Sequence, residues 1–242
     1  MDVLTDHLAE ARIAHQRRDW RGSYAAFVRA DGFGPMALAD LDAYATAAWR
    51  LGQGREAVRL AERVYRQLVR TDPGAAARKA TVLGLQWLAR GHDVVALGWA
   101  DTARLLLVDV PADGARGYLA YLDAATAIAT ADAARLAESV VVLRDNAVRS
   151  GDAALIVLSQ AVDGVSALME SRRHDGCRLL DEALLPVVDE RVPFEWAGDV
   201  YRLVQTVGLH ADRDHVVVWT QSMQRWCELN AVAQDLISSP QQ

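Results

Sequence analysis

The stretch "LGQGREAVRLAERVY", residues 51–65, decides the fold. Two glycines punctuate a turn, and the small residue Ala57 follows, with Ala61 and Val64 four and seven positions later. That spacing puts all three on one face of an α-helix. The same arrangement recurs in "RRDWRGSYAAFVRAD" (17–31), "RGHDVVALGWADTAR" (90–104) and "SRRHDGCRLLDEALL" (171–185). The small anchors Ser23, Ala57, Ala96 and Gly176 are 34, 39 and 80 positions apart, the last being two periods of 40. One further period lands on Val216. Upstream, Gly84 stands seven residues before Gly91 with Trp87 between them, and Gly164 stands seven before Ser171. A small residue there lets paired helices approach closely, and a large one a turn later fills the groove beside it. Self-similarity at this period marks an array whose units cannot bury their apolar faces alone.

The pattern resembles the tetratricopeptide scheme and predicts an all-α chain, a solenoid of about six antiparallel helix pairs forming a TPR-like superhelix. The match is clearest in the first three pairs, partial in the fifth and weakest in the fourth and sixth. The expected pairs are 3–18 with 20–30, 36–51 with 54–70, and 74–90 with 93–108. The second half follows as 114–130 with 133–149, 152–171 with 174–188, and 194–209 with 213–229. Asp72-Pro73 places a proline in a first helical turn. Pro111 and Asp113-Gly114 break the chain between the third and fourth pairs, and Gly151-Asp152 supplies a terminal glycine followed by an N-cap. Residues 1–230 read as one helical-repeat domain, and 231–242 as a short helix or a frayed tail.

Composition narrows the function classes. Of 242 residues 52% are hydrophobic and 24% charged, which suits a folded chain. With 16 Gly and 6 Pro there is too little turn punctuation for an all-β protein. A formal charge of −6 opposes a broad nucleic-acid surface, since duplex binding needs clustered cations to displace phosphate counterions. The two cysteines, Cys177 and Cys227, lack a metal-type spacing and make no disulfide framework, which fits a reducing cytoplasm. The charged, amphipathic N-terminus has no apolar core of a signal peptide, and no apolar run is long enough to span a bilayer. The expectation is a cytoplasmic protein with no membrane contact.

Certain residues carry a family resemblance. "LGQGREAVRLAERVY", "LLDEAL" and the closing run Trp219-Thr220 to Trp226-Cys227-Glu228 resemble the helical-repeat region of LuxR-type transcriptional regulators of actinobacteria. The similarity covers residues 5 to about 230. It implies a sensory or interaction module tied to transcription. In that family a C-terminal helix-turn-helix binds DNA; nothing here supplies a basic recognition helix, so no nucleic-acid binding carries over to this chain alone. Two readings follow, a piece of a DNA-binding regulator or a stand-alone relative.

No catalytic constellation stands out: the chain has no phosphate-cradling glycine loop, G-x-S-x-G elbow or H-E-x-x-H motif. The expectation is a non-catalytic protein with no cofactor, an enzyme with an unrecognised site being the remaining alternative. The sharpest polar cluster is "HADRDH", in which His210, Asp212, Asp214 and His215 are weak metal candidates. An N-cap role for Asp212 or Asp214 is the simpler reading. Cys177, next to the anchor Gly176, reads as a buried thiol. His7, His15, His92 and His174 read as surface residues.

The groove is the better candidate, since solenoids present their first helices on a concave face. The inward positions include Asp42, Trp49 and Arg50, then Arg78, then Tyr118 and Tyr121, then Met169, and finally Tyr201 and Gln205. As an open surface they suit a protein or peptide partner; as an enclosed pocket they suit a small-molecule effector; closed by long helices, they are packing. An exposed end of the array predicts self-association, a homodimer, or capping by residues 231–242.

Overall fold

In the computed structural model, residues 3–111, 113–230 and 232 are described. They form twelve α-helices and no strand. The helices are α1 (Val3–Gln16), α2 (Trp20–Asp31), α3 (Leu38–Arg50), α4 (Gly54–Leu68), α5 (Pro73–Leu88) and α6 (Asp93–Leu106). They continue as α7 (Asp113–Ala129), α8 (Ala133–Ser150), α9 (Ala153–Met169), α10 (Arg173–Val188), α11 (Phe194–Thr206) and α12 (Arg213–Leu229). Every expected end falls within three residues of the observed one. The expected segment 231–242 lies outside the described residues, Val232 excepted. Among the described residues no helix is long and apolar enough to cross a membrane.

The repeat is written into the backbone of the turns. Arg18, Gly52, Gly91, Ala131 and Ser171 all take positive φ, between 54° and 74°, each two residues before a second helix begins. The next residue's N–H reaches back to the carbonyl five positions earlier, as in Asp19 to Ala14, Gln53 to Ala48 and Arg172 to Ala167. This is a Schellman motif, which satisfies the last carbonyls of one helix and turns the chain into the next. Asp19 and Asp132 then cap the second helix of their pairs by accepting from Gly22 and Arg135 N–H.

Five residues beyond each such turn lie Ser23, Ala57, Ala96, Leu136 and Gly176, all buried. Seven before it lie Ala11, Ala45, Gly84, Ala124 and Gly164, also buried. These are the crossing points of the pairs. A Cβ on Gly176 would sit 2.6 Å from Leu168 Cγ and 2.9 Å from the Gly164 carbonyl oxygen, so α9 and α10 touch backbone to backbone. The fourth pair looked weakest in sequence because its second anchor is Leu136 instead of a small residue. The sixth departs because a longer loop, without the Schellman turn, joins α11 to α12, which pack sparsely.

The apolar interior falls into two clusters. One spans α1 to α5; the other runs from α5 to α12. Tyr65, Trp99 and Leu106 pack against both, and the Tyr65 and Trp99 rings meet edge-on at 5.1 Å. First helices also contact one another, α5 with α7, α7 with α9 and α9 with α11, which curves the array. The curvature brings its ends together. Trp20 stacks on Phe194 at 5.6 Å, Phe194 stacks on Trp226 at 5.2 Å, and Trp20 Nε1 donates to the Asn230 carbonyl at 3.0 Å. The Arg18 guanidinium lies 4.8 Å from the Phe194 ring centre and donates to Asn230 Oδ1. We refer to this contact set as the clasp.

Candidate functional site

The concave side is occupied by the chain itself. Trp196, in the first turn of α11, stacks on Tyr118 of α7 at 4.4 Å and meets Tyr121 edge-on at 6.3 Å. Tyr118, Tyr121 and Tyr201 are all buried, so these three groove candidates are core residues instead of an open aromatic surface. Each hydroxyl keeps a hydrogen-bonding role or a buried seat. Tyr118 bonds Asp152 at 3.0 Å and Tyr201 bonds Ser222 at 2.8 Å. Burial pushes all three phenols above their ordinary values. Met169 and Gln205 are half-buried further along the wall.

What remains of the groove is a chamber of about 120 Å³ between α3, α5 and α11. It contains the other groove candidates. Asp42 of α3 pairs with Lys79, the only lysine in the sequence. Trp49 and Arg50 close the α3 side, Gln86 comes from α5, and Glu195, Trp196, Asp199 and Arg202 come from α11. Arg78 stands at the rim, exposed, with its guanidinium 4.5 Å from the Tyr118 ring centre and 3.7 Å from Glu195. Within the wall Arg202 pairs with Asp199 at 2.6 Å.

Arg50 differs from these. It is 8% exposed, and among the described residues no carboxylate lies within ion-pair distance of it. Its Nε has no hydrogen-bond partner, and its guanidinium sits 4.4 Å from the Phe194 ring centre. Burial pulls its pKa down to about 10, with Asp199 opposing from a distance, so it is charged at neutral pH. Gln86 Oε1 and Trp196 Nε1, in the same wall, are likewise buried without partners. Arg50, Gln86 and Trp196 thus line one small cavity, and each also carries a buried polar atom without a partner in the wall behind it. Buried polar groups are ordinarily satisfied, which makes three orphans around one space a chemical feature.

Of the sequence-derived metal candidates Asp212 and His215 stay together, and His210 and Asp214 fall outside their group. His210, Asp212 and Asp214 are exposed, and Asp212 occupies the N-cap position of α12 without a side-chain capping bond. The structure adds Cys177 to Asp212 and His215, and the donor atoms of these three lie within 4.8 Å of one another. His215 Nδ1 is 3.1 Å from Asp181, which also accepts from Trp219 Nε1 at 2.7 Å. Burial raises the Cys177 thiol above its ordinary value, and the Asp212 N–H partly offsets this. A thiol, a carboxylate and an imidazole make three donors, one short of the four that close a structural zinc site. Cys177 stands roughly one repeat period before this loop, so stacking the pairs was the only signal that placed it there. His15, read as a surface histidine, is half-buried, and its Nδ1 has no partner.

Comparison of the chain with protein-family models, with curated proteins and with solved structures finds no match.

Proposed function

We propose that the protein is a non-catalytic helical-repeat module for interaction and sensing, linked to transcriptional regulation as its resemblance to LuxR-type regulators implies. The observation that carries this reading is the clasp. Residues about 200 positions apart, Trp20 and Arg18 against Phe194 and Asn230, hold the array shut over its own concave face. A contact set this small, set against two separate apolar clusters, makes a two-state element: shut, with the groove filled, or open, with Asp42, Trp49 and Tyr118 presented. A peptide partner that binds the open state shifts the balance toward it, and a stabilised clasp shifts it back.

The test is a displayed peptide library panned against the full chain and against Phe194→Ala, with helicity checked by circular dichroism. Peptides sharing a consensus should bind the variant more tightly than the native chain and lose binding when Asp42 and Trp49 are both replaced by Ala. Failure of both proteins to enrich a consensus refutes the reading. The link to transcription rests on resemblance alone, and a helix-turn-helix encoded in, or next to, the same reading frame supports it. A second reading, a small-molecule receptor, is supported by the unpaired Arg50 in its chamber.

A further inference from the structure

We propose that Cys177, Asp212 and His215 bind a zinc ion that staples the start of α12 to α10. The three side chains come from neighbouring helix pairs. Cys177 lies near the start of α10, Asp212 is the N-cap of α12, and His215 follows in the first turn of that helix. Their donor atoms, a sulfur, a carboxylate oxygen and a ring nitrogen, lie within 4.8 Å of one another. In a tetrahedral zinc site, with bonds of about 2.0–2.3 Å, neighbouring donors stand about 3.3–3.8 Å apart. Side-chain rotation of about an ångström closes the difference. The exposed Asp212 and half-buried His215 are free to supply it, while the core holds Cys177 in place.

The donor set selects the metal. Magnesium and calcium take oxygen ligands, whereas thiolate and imidazole suit zinc, which imposes no geometric preference of its own. A thiolate and a carboxylate together carry −2, which cancels the charge of a divalent ion. The Cys177 proton passes to solvent as the sulfur–zinc bond forms. These three donors leave the fourth position to water.

A second, independent feature is an outer shell already built around the imidazole. Asp181 lies 3.1 Å from His215 Nδ1. A carboxylate only accepts, so this contact places the ring proton on Nδ1 and leaves the other ring nitrogen to ligate. Trp219 Nε1 donates to the same carboxylate at 2.7 Å and fixes it. Carboxylate–histidine–metal arrangements orient the ring and raise its basicity. Asp181 stands one helical turn after Cys177, so α10 supplies both a ligand and the positioning residue of another ligand. Arg173 competes for Asp212 from 3.6 Å, in an exposed ion pair that a metal displaces at little cost. A tie at this point has a structural purpose: α12 follows a loop without the Schellman turn and packs sparsely on α11.

The experiment is titration of the full chain, stripped of metal by a chelator, with Co²⁺ and then Zn²⁺. It is repeated on Cys177→Ser, His215→Gln, Asp181→Asn and Cys227→Ser, with hydrogen exchange followed over residues 213–220. One equivalent of Co²⁺ should produce a thiolate-to-cobalt charge-transfer band, and Zn²⁺ should displace it. Cys177→Ser should abolish the band, and Cys227→Ser, which changes the only other thiol, should leave it in place. Asp181→Asn should keep the band and weaken binding about 10–100-fold, and His215→Gln, which removes a ligand, should weaken it more. Zinc should slow exchange at the start of α12. Circular dichroism checks that each variant folds; His215 and Asp181 are half-buried, so their replacements still decide the matter if Cys177→Ser does not fold. Absence of the band, a band that survives Cys177→Ser, or zinc affinity unchanged by His215→Gln each overturns the site. Unchanged affinity in Asp181→Asn overturns its positioning role, and metal binding without slower exchange overturns the staple. None of these readouts depends on a peptide partner or on the clasp.

Discussion

Arg50 is where the chain departs furthest from ordinary packing, and its energetics are open to test. Desolvation lowers its pKa to about 10, and the cost of holding the charge applies in full at any pH below that value. Replacing a buried, unpaired cation with an apolar side chain of similar length should stabilise the ligand-free fold by about 1–3 kcal/mol. For Arg50→Met this predicts a higher urea midpoint at an unchanged m-value; a lower midpoint indicates that the cation–π contact with Phe194 outweighs the desolvation. His15 titrates in the neighbouring wall. Burial lowers its imidazole pKa, against the pull of Asp42 and with the help of Arg50. The unfolded chain then takes up the proton at the higher pH. The stability due to neutral His15 is present above the ordinary imidazole value of about 6.5 and is lost as pH falls through it toward the lowered folded value. Unfolding midpoints measured from pH 7.5 to 5 should drop, and His15→Phe should flatten that part of the slope.

At the scale of elements, turns and crossings carry the architecture. Gly176 and Gly98 are both helical glycines, and intrinsic propensity favours alanine at each by about 1 kcal/mol. Their surroundings reverse one of them. Nothing lies within 4 Å of a Cβ on Gly98, whereas a Cβ on Gly176 meets Leu168 and the Gly164 carbonyl. Gly98→Ala should raise the thermal midpoint, and Gly176→Ala should lower it by the equivalent of about 1–3 kcal/mol through overpacking. Equal effects at both positions would show that the α9–α10 crossing is not close. Ala131 is an exposed residue at φ 54°, in a turn where two other pairs place glycine. Ala131→Gly should stabilise by about 1 kcal/mol in a denaturant titration, since a left-handed alanine is strained. These turns were legible in the sequence because glycines, cap aspartates and small anchors recur at one period. The fourth pair blurred because Leu136 and Ala131 replace the small anchor and the glycine.

For the whole molecule, a local pattern does not reveal closure. The helix ends could be read from caps and periodicity, and the inward positions of Asp42, Trp49 and Arg50 from the repeat register. That Tyr118 and Tyr121 are buried could not, because what covers them is Trp196 arriving from α11, while Tyr201 packs on Trp226 of the next helix. Contacts spanning some 200 residues leave no period, and the ends of helices curved by small crossings meet only when all the pairs are stacked. That Cys177 joins Asp212 and His215 stayed hidden for the same reason: it sits in the pair before theirs. Closure of the array is what hides its concave face. Small-angle X-ray scattering of the full chain tests this most directly. A closed array gives a radius of gyration near 18 Å, the value for a compact chain of this length, and Phe194→Ala should increase it. A native radius several ångströms larger, unchanged by Phe194→Ala, would mean an open superhelix with no clasp.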